Sequence, residues 1–337
     1  MNIKMAETTL LAMAKNFDKN AVSVKFLTKC RNSIYKVFCP DYAFVLRLTD
    51  EQYRTAGQIE SELNFQKYLF DNGAAVVKPL QTESGKSCLP FEMNGSRFWV
   101  SAFDYIDGKG WDERSDNSEE IYITIGKALG KIHRLSKGYM PVGVEQRRLW
   151  SEAKEFQKAG ELFKYYNSGL YDKFKEFMRQ METSEKNEDN FGLTHGDFLS
   201  SNYIFNEDNN ITVFDFDECE YSWFAVDLAT CMRCYLFWTE HPDELPEKVK
   251  EAEIMHYNLL LGYSSENIIN GEMVFGLEKY FKMRDFIELA QYMPRILNRE
   301  ELSDIEKTLF KMNLDRALNN KPFLIFNTAK AEKLLNN

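Results

Sequence analysis

The stretch that decides the fold is THGDFLSSNYIFNEDNNITVFDFDECE, residues 194–220. It opens with a His-Gly-Asp turn, passes into the short apolar run NYIF, and closes a second apolar run, ITVFDF, with carboxylates at Asp215 and Asp217. Apolar runs bounded by Asn, Asp and Gly predict two short strands joined by a turn. Carboxylates at the end of an otherwise buried strand do not help folding, so they indicate a chemical role.

Three oxygen-bearing side chains in this stretch are spaced for phosphoryl transfer. The loop from Asp197 to Asn202 can bring a carboxylate and an amide oxygen together, and Asp215 follows at the end of the partner strand. An amide oxygen and a carboxylate suit Mg²⁺, which leaves Asp197 to accept a proton from a substrate hydroxyl. Each feature alone is common at turns and strand ends. Their joint order matches the phosphoryl-transfer template of Asp, four residues, Asn and a downstream Asp.

The rest of the chain predicts an α+β protein with two lobes. Residues 1–106 contain short β-branched and aromatic runs, which predict a small antiparallel sheet, and one helix in TAGQIESELNFQKYLFDNG at 55–73. Residues 107–337 have mainly helical periodicity, so we expect a larger helical lobe with the hairpin of 194–220 embedded in it. A ligand site is expected in the cleft between the lobes, near a connector at 104–110.

Composition narrows the class of protein. The chain has 337 residues and a formal net charge of −10, without the basic stripe that a nucleic-acid-binding protein needs. It has no apolar run long enough to span a bilayer and no signal-peptide pattern at its start, so we expect a cytoplasmic protein that binds no membrane. The pair Cys231 and Cys234 lies in an apolar helical segment; packing in a helix is the favoured interpretation, with a zinc or redox site as the alternative.

The motifs HGDFLSSN, VFDFDE and AVDLAT resemble those of the aminoglycoside phosphotransferase and choline kinase-like family, with the homoserine kinase-like branch the nearer part. The resemblance extends over most of the chain and implies a protein-kinase-like two-lobed fold that phosphorylates small molecules from ATP. It implies that Asp197 is the catalytic base, that Asn202 and Asp215 hold Mg²⁺, and that His195 braces the catalytic loop. Asp227 would hydrogen-bond that loop.

The resemblance also assigns residues of the first lobe to the nucleotide. Arg47 stands where the family pattern has a phosphate-contacting Lys, and Glu62 stands where a helix Glu pairs with it; the planar guanidinium can hold both a carboxylate and a phosphate. The phosphate loop, TKCRNSIYKV, has no glycine. Further candidate contacts lie in that loop and in the connector that would meet adenine: Asn32, Ser33, Phe103, Asp104, Tyr105 and Ile106.

The acceptor is the least determined part of the prediction. The candidate acceptor-binding residues are Asp217, Glu218, Glu220, Arg284 and Asp285. An acidic rim would suit an amino alcohol or amino sugar, whereas Arg284 would suit the carboxylate of a hydroxy amino acid. We therefore expect an ATP- and Mg²⁺-dependent kinase of a small-molecule hydroxyl, and the sequence leaves its oligomeric state open.

Two other functions are compatible with parts of the sequence. A catalytically silent nucleotide-binding or regulatory protein on the same fold is the main alternative, because Arg47 replaces Lys and the phosphate loop lacks glycine. A metal-dependent phosphatase or sugar transferase built on Asp215-x-Asp217 is disfavoured, because the position two residues after Asp217 is Cys219 and the context is helical.

Overall fold

The computed structural model describes residues 7–93, 95–111, 119–236 and 246–336. The strands are β1 Ser23–Lys29, β2 Asn32–Phe38, β3 Ala43–Asp50, β4 Pro79–Leu80, β5 Cys88–Met93, β6 Ser96–Asp104, β7 Phe191–Thr194, β8 Tyr203–Phe205, β9 Ile211–Val213 and β10 Glu220–Trp223. The helices are α1 Glu7–Ala14, α2 Ala56–Asp71, α3 Glu119–Lys137, α4 Lys154–Tyr166, α5 Ser168–Glu182, α6 Phe224–Leu236, α7 Pro246–Ser264, α8 Gly271–Phe275, α9 Leu277–Leu297, α10 Asp304–Asn319 and α11 Ala329–Glu332. An antiparallel sheet followed by a mainly helical region confirms the predicted α+β class.

The chain divides into two compact units, each made of separate stretches of sequence. The first unit comprises Met1–Arg114, Gly138–Arg147 and Ser201–Asp217, and the second comprises Ser115–Lys137, Arg148–Ser200 and Glu218–Asn337. The sequence prediction placed every residue after 106 in the second lobe. Three stretches from that part of the chain, residues 107–114, 138–147 and 201–217, lie in the first unit.

An antiparallel sheet organises the first unit in the part that the structure describes. Its order is β1-β2-β3-β6-β4, with β5 also paired to β6. Strand β3 is largely buried because its apolar side chains pack against α1 and the neighbouring strands, in a cluster that includes Phe44, Leu46 and Leu48. The buried Arg47 lies in this same strand, opposite Ser101 of β6.

Helix α2 forms within the segment 55–73, where the sequence predicted a helix. Thr55 is the N-cap, and it forms a reciprocal capping box with Gln58 that satisfies two backbone donors. Asn72 caps the other end, and Gly73 follows with a φ of 77°. The buried face of α2 carries Glu62 among apolar residues.

The hairpin of β8 and β9 belongs to the first unit. Tyr203 pairs with Val213, and Phe205 pairs with Ile211. Bridges to Val76 and to Lys109 attach the hairpin to the rest of the unit. The residues that flank this hairpin are therefore positioned by backbone hydrogen bonds on both sides.

The second unit is mainly helical, and two of its helices pack closely through glycine. A Cβ atom at Gly126 of α3 would lie 2.0 Å from the carbonyl oxygen of Leu259 in α7, and one at Gly262 would lie 2.0 Å from that of Ile123. The small residues permit an approach that any larger side chain would prevent. In this unit β7 pairs with β10 in antiparallel register.

Three further sequence predictions can be compared with the second unit. The helical character predicted for residues 107–337 is seen in α3, and the segment after residue 150 forms the two helices α4 and α5, because the side chain of Asn167 caps the second one. Cys231 and Cys234 both lie in α6, and neither forms a disulfide. In the ranges that the structure describes, no helix combines the length and the apolar character that a bilayer crossing requires.

Candidate active site

The first unit contains a buried ion pair between β3 and α2. Arg47 donates from Nη1 and Nη2 to the two carboxylate oxygens of Glu62 at 2.7 and 2.9 Å, and its Nε donates to Ser101 Oγ at 3.2 Å. The guanidinium also stacks over the ring of Phe103, with its Cζ atom 5.0 Å from the ring centroid. Burial alone would lower the pKa of Arg47, but the carboxylates of Glu62, Asp217 and Asp215 raise it above its ordinary value. The group is therefore a permanent cation.

Asn202 and Asp215 flank the β8–β9 hairpin and lie at the same end of it. The backbone N–H of Phe214 donates to the carbonyl oxygen of Asn202 at 2.9 Å, so the two residues are held across the hairpin. Asp215 has a φ of 65°, in the left-handed region that side chains other than glycine rarely adopt. Its carboxylate is 47% exposed and lies 3.9 Å from Arg47 Nη1. A cation of the protein and two candidate metal ligands thus meet within one unit.

These two residues fit a divalent cation by the chemistry of their donor atoms. A half-exposed carboxylate and an amide oxygen are hard oxygen ligands, which Mg²⁺ prefers while it keeps water or phosphate oxygens in its remaining positions. Throughout the described ranges, no group of three or more His, Cys, Asp or Glu side chains is arranged to hold a metal ion. The pair suits an ion that is bound jointly with phosphate oxygens.

The predicted phosphate loop, which contains no glycine, is a tight hairpin between β1 and β2. Lys29 pairs with Ser33, and the N–H of Cys30 donates to the carbonyl oxygen of Asn32 at 3.1 Å. The turn needs no glycine, because none of the described residues 29–33 has a left-handed φ. Asn32 Oδ1 is buried without a hydrogen-bond partner.

The predicted adenine-contacting connector follows directly from β6. Phe103 and Asp104 end the strand, and the N–H of Asp104 donates to the carbonyl oxygen of Lys78 at 3.0 Å. Burial raises the pKa of the Asp104 carboxyl, and the nearby Lys78 opposes this shift. The ammonium group of Lys36 lies over the ring of Tyr105, 3.4 Å from the ring centroid. Ile106 packs on the apolar cluster that contains Phe103.

In the second unit, Asp227 holds the loop that was predicted to be catalytic. Its carboxylate accepts hydrogen bonds from the backbone N–H groups of His195 at 2.7 Å and of Gly196 at 2.9 Å. Gly196 has a φ of 81°, and a Cβ atom there would lie 2.2 Å from the carbonyl oxygen of Glu218. Asp227 hydrogen-bonds the loop, as the resemblance implied, and it does so on the residues that immediately precede Asp197.

His133, which the sequence analysis did not single out, completes this arrangement. Its Nε2 lies 3.0 Å from Asp227 Oδ2, its Nδ1 lies 3.1 Å from the Tyr263 hydroxyl, and its ring stacks on Phe224. Burial raises the pKa of Asp227 by itself, but the contacts with His133 and His195 outweigh it and hold the pKa below its ordinary value. Burial likewise lowers the pKa of His133. Asp227 therefore remains a carboxylate that can accept both hydrogen bonds from the loop backbone.

The predicted base, Asp197, is partly accessible and contacts an arginine. Its side chain is 31% exposed, and its Oδ1 lies 3.4 Å from Nη2 of Arg284 in α9. The Asp197 N–H points to His195 Nδ1 at 3.4 Å, which agrees with a bracing position for His195. The side chain of Arg284 is 12% exposed, and its Nε is buried without a hydrogen-bond partner.

The carboxylates that were expected to face the acceptor all have arginine partners. Arg148 binds Glu218 and Glu220 at 2.8 Å each. The structure shows that the charges of Glu218 and Glu220 are neutralised by Arg148. Their role toward an acceptor stays a prediction. The other two pairs are Arg54 with Asp217 in the first unit, and Arg233 together with Arg316 on Asp285 in the second.

Sequence reasoning missed several of these partners. Arg54, His133, Arg147 and Arg148 each bind a residue of the candidate site, yet none stands in a motif of its own. Only for His133 was there a signal, because it lies in the region of helical periodicity and on the buried face of α3. The arginines look like ordinary surface residues in the sequence.

The chain is similar in sequence to known phosphotransferases. Residues 31–259 match the model of the phosphotransferase enzyme family, APH. Amicoumacin kinase of Bacillus subtilis (strain 168) is 26% identical over 287 residues, which cover 83% of each chain. Homoserine kinase of Nitrobacter winogradskyi is 23% identical over 212 residues, which cover 62% of each.

Solved structures share the fold. The structure described as amicoumacin kinase hAmiN in complex with AMP-PNP, Ca²⁺ and Ami matches with a TM-score of 0.83 at 20% identity, over 97% of both chains. A microcompartment-associated aminopropanol kinase matches with a TM-score of 0.71 at 20% identity, over 93% of this chain and 98% of that one. Both likenesses extend across nearly the whole sequence.

Proposed function

Because this chain belongs to the phosphotransferase enzyme family and is a small-molecule kinase, we propose that it transfers the γ-phosphate of ATP to a hydroxyl group of its acceptor, with Mg²⁺ held by Asn202 and Asp215. The observation that carries the proposal is the position of Arg47, which contacts both Glu62 and Asp215. A permanent cation beside a candidate metal ligand is what the triphosphate of a nucleotide requires.

Nucleotide binding is assigned mainly to the first unit. Arg47 is held in place by Glu62, so its guanidinium is preorganised to receive phosphate oxygens without losing further side-chain freedom. The ring of Phe103 and the neighbouring residues of the connector supply an apolar surface for adenine. When bound, Mg²⁺ would neutralise phosphate charge.

Proton transfer is assigned to Asp197. A carboxylate group with 31% exposure can meet a substrate hydroxyl and accept its proton. Asp227 keeps the backbone of the loop in one conformation through two hydrogen bonds, and Arg284 restricts the carboxylate itself. Catalysis in this proposal consists mainly of positioning and charge neutralisation.

The acceptor is proposed to be an amino alcohol, an amino sugar or a hydroxy amino acid. The names of the similar proteins, amicoumacin kinase, aminopropanol kinase and homoserine kinase, support acceptors that carry amino groups beside a hydroxyl. The ion pairs on Glu218, Glu220 and Asp285 favour recognition by hydrogen bonds over recognition by a free acidic rim.

A panel of these three acceptor classes tests the proposal, with ATP and Mg²⁺ and with phosphorylated product detected by mass spectrometry. We expect turnover of at least one class, and a loss of about 10³-fold or more in kcat for Asp197→Asn, since a general base typically contributes 10²–10⁴-fold. Asp208→Asn, at an exposed carboxylate of the hairpin turn, is the matched control and should keep full activity.

Two results would contradict the proposal. If no acceptor is phosphorylated and ATP binding is indifferent to Mg²⁺, the chain does not use the proposed chemistry. If Asp197→Asn retains the activity of the Asp208→Asn control, another group takes the proton.

A further inference from the structure

Asp217 is held by two arginines, which is unexpected for a residue predicted to face an acceptor. Arg54 Nε donates to Asp217 Oδ1 at 2.8 Å, and Arg147 Nη2 donates to its backbone carbonyl oxygen at 2.7 Å. All three residues are at most 8% exposed. Both the side chain and the backbone of this residue are therefore fixed inside the protein.

The same two arginines are anchored at the start of α2. Arg147 Nη1 donates to the carbonyl oxygen of Gln58 at 2.8 Å, in the first turn of the helix. Arg54 immediately precedes the N-cap residue Thr55. Phe216 is fully buried and meets Phe65 of α2 edge to face, with 6.0 Å between the ring centroids. Consecutive residues after Asp215 are thus attached to one helix.

Asp215 has a strained backbone conformation and lies between two segments that are held in place. Its φ of 65° is costly for a residue with a side chain, by about 1 kcal/mol or more. Its side chain is 47% exposed, so packing contributes little to its conformation. A strained conformation persists when the surrounding structure determines it. The hairpin bond between Phe214 and Asn202 holds the backbone before Asp215, and the attachment to α2 holds residues 216 and 217 after it.

Helix α2 also carries Glu62, the partner of Arg47. One helix therefore fixes both the cation assigned to the phosphates and the carboxylate assigned to the metal. A change that frees Asp217 would alter the metal site while leaving the Arg47–Glu62 pair intact, which makes the two contributions separable.

We propose that Arg54 and Arg147 are positioning residues that set the divalent-cation affinity of this kinase by holding Asp217, and through it Asp215, against helix α2. The proposal rests on the function proposed above for Asp215. In this arrangement Asp217 serves to bind the two arginines, and it does not contact the acceptor.

Binding of Mn²⁺ in the presence of ADP, followed by electron paramagnetic resonance on the full chain, tests the proposal without relying on activity. For Arg54→Gln we expect Mn²⁺ affinity to fall about tenfold or more, which corresponds to about 1.4 kcal/mol. The affinity for ADP without a divalent cation should change by less than about twofold, because Arg47 and the connector are untouched. Arg147→Gln should behave in the same way.

Conservative variants keep the experiment informative if Arg54→Gln unfolds. Arg54→Lys preserves the charge and one donor, so we expect a smaller loss of Mn²⁺ affinity than for Gln. Asp217→Asn preserves an oxygen that can accept from Arg54 and should also give a partial loss. Arg97→Gln removes an exposed pair with Glu92 in the same unit and should leave Mn²⁺ binding unchanged.

The outcomes separate this inference from the proposed function. If the unmodified protein binds no Mn²⁺ with ADP, both are wrong. If it binds Mn²⁺ and folded Arg54→Gln, Arg54→Lys and Asp217→Asn bind it equally well, only the positioning role is wrong. If Asp217→Asn raises the KM of the acceptor and leaves Mn²⁺ affinity unchanged, Asp217 is an acceptor contact and the inference is overturned.

Discussion

Arg47 binds Glu62 through two parallel hydrogen bonds, at 2.7 and 2.9 Å, and both side chains are almost completely removed from water. A lysine could form only a point contact with the carboxylate, whereas the planar guanidinium occupies both of its oxygens and still reaches toward Asp215. The replacement of Lys by Arg in this strand therefore preserves the ion pair that the family pattern requires.

Substitutions of Arg47 should distinguish the effect of its charge from the effect of its planar, two-pronged geometry. Arg47→Met leaves the Glu62 carboxylate buried without a partner and should lower the free energy of unfolding by about 3–5 kcal/mol. Arg47→Lys keeps the charge and should cost less, while the KM for ATP rises. Urea unfolding and steady-state kinetics give the two quantities. Arg97→Met, which breaks a half-exposed pair, should cost less than about 1 kcal/mol; an equal cost for both Met variants would contradict the role of burial.

A methyl group at Gly196 should be much more harmful than one at another left-handed glycine. Gly196 and Gly85 have φ values of 81° and 77°, so alanine pays a similar backbone cost of about 1–2 kcal/mol at each. Only at Gly196 would the new Cβ atom meet a backbone carbonyl oxygen, at 2.2 Å, whereas nothing lies within 4 Å at Gly85. We expect Gly196→Ala to lose most of its activity. Its free energy of unfolding should also fall by more than that of the Gly85→Ala control. Equal unfolding free energies for the two variants would show that the loop can move away from Glu218.

Stability should fall as the pH drops below about 6.5, with His256 as one cause. This residue is 1% exposed, and burial lowers its pKa to about 4 despite the hydrogen bond to the Met273 carbonyl oxygen. Since the unfolded chain then binds more protons than the folded chain between about pH 6.5 and 4, unfolding is favoured by acid.

The size of this effect can be measured by comparison with His256→Gln. From about pH 7 to about pH 5 the unmodified protein should lose about 2 kcal/mol more than the variant in urea unfolding. His133 is present in both proteins, so its contribution cancels. Parallel curves for the two proteins would mean that His256 titrates alike in the folded and unfolded chains.

Arg284 should affect the chemical step more than nucleotide binding. Its guanidinium lies 3.4 Å from Asp197 Oδ1 and restricts the carboxylate that is proposed to accept the proton. We expect Arg284→Gln to lower kcat about tenfold, which corresponds to about 1.4 kcal/mol, with the KM for ATP unchanged. Arg295→Gln, on the same helix with a partner in Glu306, should leave kcat unaffected. A rise in the ATP KM without a change in kcat would place Arg284 on the nucleotide instead.

Much of the candidate site could be predicted because its signals are local. The loop from His195 to Asn202 and the hairpin that follows occupy one short segment, so backbone hydrogen bonds between near neighbours determine where Asp215 stands. The capping signals of α2 are likewise contained within a few residues, and the helix begins and ends close to the predicted bounds.

The pairing of charges could not be predicted in the same way. Arg54 is 163 residues from Asp217, and Arg147 is 70 residues from it. In the sequence, Asp217, Glu218 and Glu220 read as an acidic rim, because a carboxylate looks the same whether it is solvated or paired. Their arginine partners became visible only in the fold.

The sequence by itself determined the α+β class, the candidate catalytic motif and the helix that carries Glu62, because periodicity and a compact motif act over short distances along the chain. The tertiary structure decided which carboxylates are neutralised, which glycine touches a carbonyl oxygen and which arginines hold the residues around Asp215. Burial of a charge is tolerated only where a distant partner offsets its desolvation, and that balance exists only after the chain has folded.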